Sequence, residues 1–107
     1  MSTKTYNKLV RDRIPEIISA RGAMCETEIL NDADYLALLD KKLDEELAEY
    51  HQDQNLEELA DLLVVSCACA VARGYSVSDL EALRAKKAAE RGGFADKILL
   101  KSVTEED

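Results

Sequence analysis

The amino-acid sequence predicts an all-α fold, a bundle of four helices joined by short connections. Three observations predict it. Leu36, Leu39, Leu43, Leu47 and Tyr50 recur at three- and four-residue spacing. The single proline, Pro15, and the glycines Gly22, Gly74, Gly92 and Gly93 fall where helices should start or stop rather than in a linker. The run from Leu59 to Ala72 is too long for one strand and has almost no polar face.

The first helix is expected from Asp12 to Arg21, with Pro15 in its first turn, where the missing N–H leaves no hydrogen bond unmade, and Gly22 just beyond its end. Cys25 to Leu30 alternates weakly and is too short to assign. Asn31 or Asp32 can cap a long second helix running to about His51, with Leu36, Leu39, Leu43, Leu47 and Tyr50 as its apolar stripe. The third helix should begin near Asn55 and end at Arg73, before Gly74, as the central, buried element. Ser78 with Glu81 three residues on reads as a capping box for a fourth helix that ends near Arg91, before Gly92-Gly93. The acidic tail from Ser102 to Asp107 should fray.

A chain of 107 residues, 47% of them hydrophobic, has the size of one domain, here residues 1–107. A helical domain this small leaves much of its apolar surface uncovered, which favours pairing with a second copy. A net charge of −8 and a pI near 4.7 argue against a nucleic-acid duplex or an anionic membrane as partner, since both repel such a field. No apolar run reaches the ~20 residues of a membrane span, and residues 1–6 lack a signal-peptide core, so the expected compartment is the cytoplasm. Cys25, Cys67 and Cys69 are odd in number and read as buried free thiols.

The most informative feature is an imbalance of charge. Between Asp44 and Ala72 stand eight acids (Asp44, Glu45, Glu46, Glu49, Asp53, Glu57, Glu58 and Asp61) and no lysine or arginine. At 100° per residue, Glu45, Glu46 and Glu49 share a sector of about 100° beside Leu43 and Leu47, and Glu58 and Asp61 lie one turn apart on the next helix. A short turn lets the two groups face each other across an antiparallel hairpin. Facing, partly buried carboxylates repel one another unless a cation neutralises them, and a donor set made only of oxygens suits Mg²⁺ or Mn²⁺ rather than Zn²⁺. The competing reading is a solvated acidic face, but Glu58 and Asp61 lead straight into the most apolar helix, where unpaired acids are costly. His51, the only histidine, reads as a surface residue rather than a base.

Basic residues gather at the two ends: Lys4, Lys8, Arg11 and Arg13, then Arg84, Lys86, Lys87, Arg91, Lys97 and Lys101. Carboxylate-held metal with lysine and arginine on phosphate oxygens is the usual arrangement for phosphoryl chemistry.

Glu45-Glu46-x-x-Glu49 followed by Glu58-x-x-Asp61 resembles the signature of the all-α nucleotide pyrophosphohydrolases, a superfamily that includes MazG, the all-α dUTPases and phosphoribosyl-ATP pyrophosphohydrolase. The stretch Tyr6 to Ile18, with Asn7, Lys8 and Arg11, and Lys87-x-x-x-Arg91-Gly92-Gly93-Phe94 are similar to a compact MazG-like branch, so the resemblance spans nearly the whole chain. It implies a four-helix MazG-like bundle in a homodimer or dimer of dimers. It also implies Mg²⁺-dependent hydrolysis of a nucleotide between its α- and β-phosphates. Glu45, Glu46, Glu49, Glu58 and Asp61 would then be catalytic, with Glu46, Glu49, Glu58 and Asp61 as metal ligands. Lys87 and Arg91 would grip phosphate; Lys8 and Arg11 would serve substrate, packing or oligomer contacts. Only eight residues separate Glu49 from Glu58, fewer than in MazG proper, which removes part of the loop that frames the base. Phosphoribosyl-ATP is the alternative substrate, and a non-catalytic, metal-binding helical module the alternative of another class.

Overall fold

The computed structural model describes residues 2–106 and contains four helices: α1 (Ile14–Ala20), α2 (Asp32–Asp53), α3 (Leu56–Ala72) and α4 (Val77–Arg91). Among the described residues there is no strand, so the fold is all-α. The α1 helix is shorter than expected at both ends. Arg13 occupies its N-cap without a side-chain cap, and Arg21 and Gly22 close it through N–H groups donating to Ile18 and Ser19 carbonyls.

Two of the three asparagines, Asn31 and Asn55, cap helices as their chemistry favours. Asn31 Oδ1 accepts from the Asp34 N–H at 2.8 Å and Asn55 Oδ1 from the Glu58 N–H at 2.9 Å, each answering one of the orphan donors of a first helical turn. Between α2 and α3 the chain needs only Gln54 and Asn55. Gln54 takes the left-handed conformation, φ 52°, and its N–H donates to the Tyr50 carbonyl at 2.8 Å, which reverses the chain at once.

The capping box of α4 lies two residues earlier than the sequence pattern suggested. Ser76, not Ser78, is the N-cap: its hydroxyl accepts from the Asp79 N–H at 3.0 Å, and the Asp79 carboxylate accepts from the Ser76 N–H at 2.9 Å. Both serines have an acid three residues on, so spacing alone matched either. Starting at Ser76 leaves Glu81 free to pair with Arg84 at 2.7 Å on the same helix.

α2 and α3 form an antiparallel hairpin, with Glu46 opposite Glu58 and Asp61 near the turn and Asp40 bridged by Arg73 at 3.4 Å at the far end. α4 packs on α3 alone after a bend of 113°, and α1 packs on no other helix. One chain therefore does not close a four-helix core. Leu39 at 3% exposure and Val65 at 8% are its only buried apolar side chains among the described residues.

This corrects the expectation for α3, which is central in packing order but not buried: Leu63 is 63% exposed, and Leu59, Val64 and Val71 are also open. Its hydrophobicity exceeds what two neighbouring helices can cover. The cysteines are free, as expected, but Cys25 is exposed on the irregular segment before α2, and Cys67 and Cys69 are half-buried. The chain is elongated, 70 Å in its longest dimension with a radius of gyration of 19.1 Å, where a compact chain of this length would have about 13 Å. Residues 102–106 are irregular and exposed, as expected of the tail, whose last residue, Asp107, lies outside the described residues. No single helix is long and apolar enough to cross a membrane.

Candidate metal centre

The hairpin turn does the positioning. Asn55 caps α3 so that Glu58 stands in its first turn and Asp61 one turn further, and both face the α2 segment that carries Glu46. Glu46, Glu58 and Asp61 each place one carboxylate oxygen so that all three lie within 4.8 Å of one another. Glu46 is 6% exposed. Its Oε1 sits 3.4 Å from Lys42 Nζ, while its Oε2 is buried with no hydrogen-bond partner; Glu58 Oε2 is in the same position.

Buried acceptors without donors are costly, and here one cluster holds two. The electrostatics agree. Burial, then the charge of Glu49, push the Glu46 carboxyl above its ordinary value against the pull of Lys42. The Glu58 carboxyl is pushed up to about 7, first by partial burial and then by Glu49, Asp53 and Asp61. Among the described residues only two side-chain cations reach the cluster: Lys42, and Arg11, whose Nη2 donates to Asp61 Oδ1 at 2.7 Å. The remaining deficit of positive charge, the orphaned oxygens and the all-oxygen donor set fit a hard divalent cation such as Mg²⁺ or Mn²⁺.

The other candidates are placed differently. Glu45 turns to Lys42, 3.5 Å away, and stays outside the triad. Glu49 is exposed and close enough to raise the pKa values of Glu46 and Glu58, but it is not among the three converging carboxylates. Lys8 lies over the Tyr6 ring, 5.4 Å from its centroid, with Lys4 at 5.0 Å. Lys87 and Arg91 are exposed on α4 and form no ion pair among the described residues. No ion pair joins Lys87 or Arg91 to the triad among the described residues. His51 is exposed, its ring 5.9 Å from that of Tyr50.

Lys42 escaped the sequence reading. Its signal was a Lys-x-x-Glu-Glu spacing, which puts one lysine within a turn of both Glu45 and Glu46.

No family profile and no solved structure matches the chain. Over 42 residues, 39% of its length, it is 57% identical to an uncharacterized protein of Mycolicibacterium smegmatis, and the match spans 43% of that protein. That name carries no activity, so the functional reading rests on the residues.

Proposed function

We propose that the chain is a Mg²⁺-dependent nucleotide pyrophosphohydrolase that converts a nucleoside triphosphate to a monophosphate and pyrophosphate. The observation that carries this reading is the convergence of Glu46, Glu58 and Asp61 within 4.8 Å, with a buried, partnerless oxygen on Glu46 and another on Glu58. The order of acidic and basic segments along the chain, and their resemblance to the all-α pyrophosphohydrolases, supply the substrate class.

In this reading Glu46, Glu58 and Asp61 hold the cation, with Mn²⁺ an adequate substitute for Mg²⁺. The bound ion would polarise phosphate oxygens and acidify a water. Glu49, beside Glu46 and Glu58 but outside the triad, takes the proton as water adds to phosphorus and the P–O bond of the α–β bridge breaks. Lys42 stays in place and limits the repulsion between Glu45 and Glu46. No covalent intermediate on the protein is required.

In this reading Lys87 and Arg91, which form no ion pair among the described residues, grip phosphate from a second copy of the chain. Pairing of chains also accounts for apolar side chains that one chain leaves in water, among them Leu63 on α3 and Phe94, Ile98 and Leu99 beyond α4. A homodimer, or a dimer of dimers, is the proposed assembly. Pyrophosphate release across a panel holding dUTP, dCTP, oxidised purine triphosphates and phosphoribosyl-ATP, with and without Mg²⁺, tests the reaction and names the substrate. Release from none of them would overturn it.

A further inference from the structure

Arg11 does something the proposed chemistry does not use. It lies in the irregular stretch before α1, fifty residues from Asp61 in sequence, yet its Nη2 is 2.7 Å from Asp61 Oδ1, the shortest ion-pair distance in the structure together with Arg84–Glu81. Among the described residues this is the only side-chain hydrogen bond that ties residues 2–13 to the α2–α3 hairpin. α1, which follows, packs on no other helix. The N-terminal segment is therefore fastened by polar contact to one point, and that point is a member of the acidic triad.

We infer that Arg11 is a built-in counter-ion that occupies Asp61 in the metal-free protein and is displaced by the divalent cation, so that metal binding unfastens the N-terminal segment. The inference rests on the metal-centre reading above. A cation drawing an oxygen from each of Glu46, Glu58 and Asp61 would lie about 2 Å from Asp61, and a guanidinium still paired there would be left roughly 4 to 5 Å from a doubly charged ion. Two cations at that separation repel, and the weaker, more exposed one leaves: the Arg11 side chain is 56% exposed, whereas the Glu46 oxygen that awaits a partner is buried. A lone Arg–Asp pair on a surface would carry no such meaning. Here the buried, partnerless Glu46 Oε2 in the same cluster marks the place that a second cation would take.

The consequence has a sign that separates it from a merely structural ion pair. Removing the competitor should tighten metal binding, so Arg11→Gln is expected to bind Mg²⁺ about three- to tenfold more tightly than the wild type. Lys8→Gln removes the same charge from the same segment without touching Asp61 and is expected to change affinity by less than about twofold. Titration calorimetry of the full chain with MgCl₂ and no nucleotide reads both, with circular dichroism to confirm helical content. Hydrogen exchange of wild-type residues 2–13 should accelerate on Mg²⁺ addition. Wild-type binding that is unchanged or weakened by Arg11→Gln, or tightened equally by Lys8→Gln, overturns the inference and leaves the metal centre standing. Absence of Mg²⁺ binding in wild type and variant alike overturns both.

Discussion

At the scale of single residues, the candidate metal centre depends on Glu46, a carboxylate at 6% exposure with an oxygen that no donor reaches. Glu46→Gln keeps the shape and removes the charge. It should cost about 10²-fold or more in Mg²⁺-dependent turnover, while the metal-free protein melts at the same temperature or higher, a gain of about 1 kcal/mol or less as repulsion with Glu49 is relieved. Steady-state kinetics beside melting curves in chelator check both halves. Glu58 sets a pH dependence. Its folded pKa of about 7 lies above the ordinary 4.5, so the folded state holds the proton more tightly. That stabilisation is complete below about pH 4.5 and lost as pH rises through 7. Glu46 is shifted the same way, whereas Asp79 and Glu81, held below their ordinary values by Ser76 and Arg84, act only in more acid solution. The melting temperature in chelator should therefore fall between about pH 5 and pH 8, and saturating Mg²⁺ should flatten that slope; a rising curve in chelator would contradict it. The acidic cluster was legible, because Glu58-x-x-Asp61 and the Glu45-Glu46-Glu49 sector follow from helical periodicity, but periodicity did not separate Glu46 from Glu49, which stays outside the converging three. The Arg11–Asp61 pair was not, since nothing in sequence relates an irregular segment to a helix face fifty residues on.

At the scale of elements, caps decide where the site stands. Asn55→Ala should cost about 1 kcal/mol and weaken Mg²⁺ binding together, since the cap that starts α3 also fixes the turn carrying Glu58. Melting curves and metal titration of one variant measure the two effects. Ser76→Ala should cost a similar amount and Ser78→Ala less than about 0.5 kcal/mol, which tests the placement of the α4 cap. The existence of all four helices could be read in advance, and so could the starts of α2 and α3 to within a residue, Asn31 proving the cap where Asp32 beside it was the other candidate. Ser76 and Ser78 offered the same three-residue spacing, and the choice between them depends on how α4 meets α3. Burial of α3 was overestimated for another reason: an apolar composition states that a helix needs cover, not whether its own chain provides it.

At the scale of the whole molecule, the exposed apolar side chains of α3 and of the segment beyond α4 favour the proposed pairing of chains. Leu39 and Val65 are too small a buried core for a lone domain, and light scattering at micromolar concentration should give at least twice the 11.9 kDa chain mass. A monomer would remove the proposed source of Lys87 and Arg91 at the site. The proposed assembly would join an acidic centre in one copy to phosphate-binding cations in another, so catalysis and association are expected to fail together on dilution. The most direct test of the central claim is pyrophosphate release from the nucleotide panel by wild type, Glu46→Gln and Asp61→Asn, each with and without Mg²⁺. The account predicts release that requires Mg²⁺ and falls about 10²-fold or more in both variants; turnover near the wild-type level in either variant would contradict it.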